Sequence, residues 1–216
     1  MEIEMCESLF FSWLRHIKDC KLVHTNWKSS PYWSMNNSNE IEDMLIELRE
    51  HYKDEYDVDL LGKNTKLTQI NRQGETDLLG EQIVNGKHDY YAVDVAFHTK
   101  GLSYKGKINE KVVNIIGKCI RSVFWLYGYL NKKSGHIYFA SPKIRNSMKD
   151  KLDKEFAYIN NYFKSKGFDF NFVLYGNDNF QNEVLDPVLN ISNQIDDTNE
   201  LFLRAVSLIK EFKQIT

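Results

Sequence analysis

The run from Tyr90 to His98 reads Tyr-Tyr-Ala-Val-Asp-Val-Ala-Phe-His. Its period of two sends Tyr91, Val93, Val95 and Phe97 to one face of a strand, and Ala92, Asp94, Ala96 and His98 to the other. The two alanines leave open space around an acid and an imidazole. Upstream, Glu75 and Asp77 share one face of a second strand-like run. Asn85-Gly86 between the runs is a tight-turn signal. Paired as an antiparallel hairpin, the runs bring carboxylates from neighbouring strands towards one point. Converging carboxylates repel each other and call for a cation. The stretch reads as a divalent-metal site built on these acids.

Glu7 enters from an amphipathic helix expected over residues 2–18, whose stripe is Ile3, Phe10, Leu14 and Ile17. Its spacing puts it inside that stripe. A carboxylate there needs an ion pair, a metal, a hydrogen-bond donor or a proton. Glu47, at the edge of the helix expected from Ser38 to about Lys53, is a second helix-borne acid.

Cations follow the hairpin directly. The loop after His98, Thr-Lys-Gly-Leu-Ser-Tyr-Lys-Gly-Lys, carries Lys100, Lys105 and Lys107. In the helix expected over residues 109–131, Asn114, Lys118, Arg121 and Trp125 form a stripe apart from the main apolar face. Residues 36–97 hold six basic and fourteen acidic side chains, whereas residues 98–167 hold fifteen basic and four acidic. An acidic hairpin followed by a basic stretch suits a protein that holds cations beside a polyanion. The bland alternative is that lysines solvate helix faces. Trp27, Tyr32 and Trp33 with Lys28 could stack on bases and touch phosphates, or simply pack.

The chain as a whole sets the bounds. Its 216 residues are 42% hydrophobic and 13% aromatic, with three prolines and a net charge of -2. This is the composition of one folded domain without linkers or repeats. Three scattered cysteines, Cys6, Cys20 and Cys119, suggest neither a zinc site nor a disulfide framework. The acidic start does not read as a signal peptide, and the longest apolar run is too short to span a bilayer. A cytoplasmic location is expected.

Periodicity gives the order helix, short strand near Leu22-Val23, helix, strand hairpin, helix, strand (135–141), helix (144–166), strand (168–175), helix (196–214). This is an α/β protein with a mixed central sheet flanked by helices. An acid on the first helix, one on each strand of a hairpin, then a helix and a strand, resembles the PD-(D/E)XK nuclease superfamily. The resemblance implies a restriction-endonuclease-like core over about residues 40–175, with N- and C-terminal helices added. It implies Mg²⁺- or Mn²⁺-dependent hydrolysis of phosphodiesters, with DNA the favoured substrate, and extends to a homodimer, since many such nucleases cut two strands as dimers. Asp77 matches the first-strand Asp, Asp94 the second acid, and Glu7, or failing it Glu47, the helix acid. The sequence departs from the pattern at Ala96, where the family places lysine. Lys118 is the first substitute, with Lys100 and His98 behind it. The resemblance implies a catalytic set of Asp77, Asp94, Lys118, Glu7 and His98 and the metal ligands Asp77, Asp94, Glu75 and Glu7; the nucleic-acid contacts expected are Lys100, Lys105, Lys107, Arg121 and Lys28. Two rivals remain: a non-catalytic nucleic-acid-binding or assembly subunit of the same fold, and a domain whose hairpin acids merely pair with lysines.

Overall fold

The computed structural model describes residues 4–62, 67, 74–98, 101–102, 107–195 and 198–213. Helix α1 (Met5–His16) leads into β1 (Cys20–Lys28) and α2 (Ser38–Tyr56). Then come β2 (Glu75–Val84), β3 (Lys87–Val95), α3 (Ile108–Leu130), β4 (Ser134–Ser141), α4 (Asn146–Ser165) and β5 (Asp169–Gly176). A helical stretch follows: α5 (Asp178–Phe180), a π-helical turn (Gln181–Leu185) and α6 (Asp186–Ile191). Helix α7 (Leu201–Lys213) is the last element.

The five strands lie in chain order across one mixed sheet. The first three form an antiparallel meander, and β3, β4 and β5 run parallel. The hairpin turn is Asn85-Gly86, both at positive φ, with Val84 paired to Lys87. That is the two-residue turn whose twist matches the strands. Parallel neighbours need crossovers, and α3 and α4 supply them.

Alternation along the strands makes two cores. Leu79, Ala92, Ile137, Phe139 and Phe172 face α2, α3 and α4. Leu78, Tyr91, Val93, Tyr138 and Tyr175 face α1, the 178–191 stretch and α7. Helix α1 sits close to the sheet because β2 has glycine beneath it. A Cβ on Gly80 would come within 2.9 Å of Cys20 Sγ and 3.2 Å of Leu14 Cδ2. Trp13 fills the second core, and its indole N–H donates to the Glu183 carbonyl at 2.8 Å.

The expected elements are present, with three differences. Strand β1 runs to Lys28, so Trp27 and Lys28 belong to a strand and not a loop. Edge pairing with β2, down to Lys28↔Glu75, holds them there. Strand β3 ends at Val95, so His98 is not part of its alternating face. The helical stretch 178–191 was not foreseen; Phe180, Val184 and Val188, four residues apart and buried, anchor it. Ile3 lies outside the described residues. Among those described, no helix is long and apolar enough to cross a membrane.

Trp13→Ala removes a buried indole and leaves the Glu183 carbonyl without its donor. The expected loss is about 3–5 kcal/mol of unfolding free energy in urea melts.

Candidate active site

The site forms where two strands part. Regular β2–β3 pairing runs from Val84↔Lys87 to Leu78↔Val93. Beyond that point β2 stays with β1, and β3 stays with β4 as far as Val95↔Ala140. Two β2 side chains bridge the opening. The Thr76 hydroxyl donates to the Val93 carbonyl at 3.0 Å, and the Val95 N–H donates to Asp77 Oδ2 at 2.7 Å. Across β1, Asn26 lies between the Thr25↔Leu78 and Trp27↔Thr76 pairs with φ at 50°. A left-handed residue inside a strand marks a local kink.

Asp94 is the next β3 residue after the last regular pair, and it is 3% exposed. Lys118 reaches it from α3, with Nζ 3.4 Å from Oδ1. Arg121, nearly one turn further along α3, is coupled to Asp94 and Glu75. Burial is the main force on Asp94. With repulsion from Asp77 it raises the carboxyl pKa to about 6, against the opposing pull of Lys118 and Arg121. Burial raises Asp77 as well, opposed by the Val95 N–H and Lys118 and reinforced by Glu75 and Glu4. Glu7 is raised by burial and then by Asp77. Burial lowers Arg121, because a guanidinium out of water loses hydration that its acidic neighbours only partly replace.

The structure therefore brings Asp77, Asp94, Lys118, Arg121, Glu75 and Glu7 into one electrostatically coupled group. Their settings differ. Glu7 is half-buried at the third position of α1 and accepts the Glu4 N–H at 3.3 Å, closing a capping box. The buried stripe consists of Cys6, Leu9, Phe10, Trp13 and Leu14, so Glu7 lies at its edge and not within it. Glu47 is elsewhere, bonded to Lys166 at 2.7 Å and Tyr162 at 2.9 Å. Lys28 and Glu75 are exposed and pair at 3.5 Å. Lys107 is exposed at the N-cap of α3, and His98 is exposed beyond β3. Lys100 and Lys105 lie outside the described residues. Ala96 is buried in the core under α2, α3 and α4. Trp27 packs on Trp125 with ring centroids 4.1 Å apart, and Trp33 lies beside it at 6.3 Å. Thr76 was missed in the sequence, because a single threonine in a strand carries no signal.

The charge segregation is partly internal. Helix α4 pairs with the acidic α2 through Lys154–Glu55 at 2.5 Å and Lys166–Glu47 at 2.7 Å. Lysines of residues 98–167 therefore neutralise the preceding acidic stretch in part. Lys143 and Arg145 are exposed just beyond the carboxyl end of β4, and Lys107 is exposed just before α3.

Among the described residues, no three His, Cys, Asp or Glu side chains group closely enough to hold a metal ion. The four-carboxylate set is not assembled there. Asp77 and Asp94 remain as two hard oxygen donors on neighbouring strands. That suits Mg²⁺, which keeps several waters and needs only one or two carboxylates.

The sheet and its helices define an α/β fold with the site at the end of the central strand. No family model, curated protein or solved structure matches the chain.

A carboxyl whose pKa is raised in the fold stabilises it below the unfolded-state pKa. That stability is lost as pH rises through about 6. Asp94→Asn removes the titration. Its unfolding free energy should exceed wild type by up to about 3 kcal/mol at pH 8, with the gap closing towards pH 4. Urea melts across that pH range check it.

Proposed function

We propose that the protein is a metal-dependent nuclease that hydrolyses phosphodiester bonds in nucleic acid, with DNA the favoured substrate. The observation that carries this reading is the pair Asp77 and Asp94, held on parting strands with Lys118 reaching Asp94 from α3. A structural ion pair has no need of a second acid that pushes its partner's pKa up. An ion-binding pair does, because the cation relieves the repulsion. The order of acids along the fold supports the resemblance to the PD-(D/E)XK superfamily: Glu7 on the first helix, Asp77 on β2, Asp94 on β3.

Asp77 and Asp94 would hold the ion, and Glu7 adds negative charge near Asp77. When bound, Mg²⁺ supplies a water of lowered pKa and positive charge against the phosphate. The chain's own groups do the rest. The Val95 N–H fixes one oxygen of Asp77 and leaves the other for the ion. Lys118, drawn to Asp94 at 3.4 Å, replaces the lysine missing at Ala96. Its ammonium orients the attacking water and screens charge on the phosphate. Arg121 adds positive charge beside Asp94 and Glu75. Lys107, Lys143 and Arg145 grip the backbone, which makes binding fall steeply with salt.

The Lys118–Asp94 pair also favours a second reading. An ammonium at that acid can take a metal's place, leaving a subunit that holds nucleic acid without cutting it. Cleavage of single- and double-stranded DNA and RNA, with and without Mg²⁺, separates the two. The nuclease reading expects Mg²⁺-dependent cleavage, lost by about 10³-fold or more in Asp77→Ala and Asp94→Ala and by about 10²-fold in Lys118→Ala, with binding retained. Salt-sensitive binding by wild type with no cleavage in Mg²⁺ or Mn²⁺ contradicts it and favours the binding subunit.

A further inference from the structure

Helix α7 has two apolar faces, and the fold uses one of them. Leu203 and Val206 are buried, and Leu203 with the flanking Phe202 packs the helix on the α1 side of the sheet. Polar ties hold it there. The Phe202 N–H donates to Ser8 Oγ at 2.8 Å, and Lys210 bonds Ser192 at 2.6 Å. Just before the helix, buried Glu200 accepts from Arg15 at 2.7 Å.

The other face is exposed. Leu201 is 47% exposed, Leu208 58%, Ile209 46% and Phe212 78%. Leu201, Ala205, Leu208 and Phe212 recur at spacings of four, three and four. That is the seam of a two-helix coiled coil, and one copy of the helix cannot bury it. A groove of about 670 Å³ runs along this seam, lined by Ile195, Leu201, Ala205 and Leu208 among others.

The charges beside the seam name the occupant. Arg204 immediately precedes Ala205 and Glu211 immediately precedes Phe212, so the two lie two turns apart on the same flank of the seam, and both line the groove. If two copies of α7 cross antiparallel, Leu201 meets Phe212 of the other copy and Ala205 meets its Leu208. Flanking positions of the same type then face each other. Arg204 lies opposite the other copy's Glu211, twice over by symmetry. A parallel pairing sets Arg204 near Ile209 and gains nothing from either charge.

We infer that α7 is a self-association surface, through which a second copy of this chain docks by antiparallel helix pairing. The interface uses a face remote in sequence from the strand acids and does not depend on their chemistry.

Sedimentation velocity of the full chain from about 1 to 200 µM tests it. The expected result is a concentration-dependent shift from one chain to two. Leu208→Glu, at an exposed site, should stay a monomer with unchanged far-UV circular dichroism. Arg204→Glu sets Glu against Glu, and Glu211→Arg sets Arg against Arg, so each alone should weaken association by about tenfold or more. Mixing these two variants should restore it as a heterodimer, in which both charge pairs are again opposite in sign. A monomer at every concentration overturns the inference. So does a dimer that survives Leu208→Glu, or one indifferent to both charge changes.

Discussion

Asp94 sits in the interior with its charge only partly answered, and much of the architecture follows from that. A carboxylate 3% exposed loses most of its hydration. Lys118 and Arg121 offset some of the loss, yet burial and Asp77 together still hold its pKa near 6. An apolar residue of that size would pack between Ala92 and Ala96 without such cost. The acid therefore makes little sense as a stability device. On the reading proposed above, it is a ligand or reacting group whose charge Lys118 and Arg121 answer only in part.

The sheet topology puts it there. Strand β3 is the boundary between an antiparallel meander and a parallel half. Its end is where β2 departs towards β1 while β3 continues along β4. Asp94 therefore lies near the carboxyl end of the central strand. Thr76 and Asp77 close the gap with side-chain bonds in place of a backbone ladder. One oxygen of Asp77 thus has a structural role, and α3, the crossover from β3 to β4, brings Lys118 to Asp94.

The strand period made Asp77 and Asp94 legible in the sequence, because alternation fixes which side chains share a face. The same period placed Ala92 beside Asp94, and Asn85-Gly86 set the hairpin. Lys118 was within reach of sequence reasoning because it lies at helical spacing from Arg121 on a stripe apart from the main apolar face. Other features depended on pairing that no local pattern reveals. The extent of β1 comes from its ladder with β2. The end of β3 comes from where its partners stop, and it leaves His98 outside the strand. Glu7 looked buried by spacing alone, but the start of α1 at Met5 turns it into a capping residue at the stripe's edge. The basic stretch looked like a nucleic-acid surface in one dimension. In three, α4 lies against α2, and part of that charge is neutralised at home.

On the proposed reading, Asp77 and Asp94 form a cation site. The most direct test is the titration of the Asp94 side-chain carboxyl, followed by carbon-detected nuclear magnetic resonance with and without Mg²⁺. A raised carboxyl relieved by a bound ion predicts a midpoint near 6 in the metal-free protein, moving down by about one unit or more as Mg²⁺ is added. A midpoint in the ordinary aspartate range, or one that Mg²⁺ leaves unchanged, contradicts it.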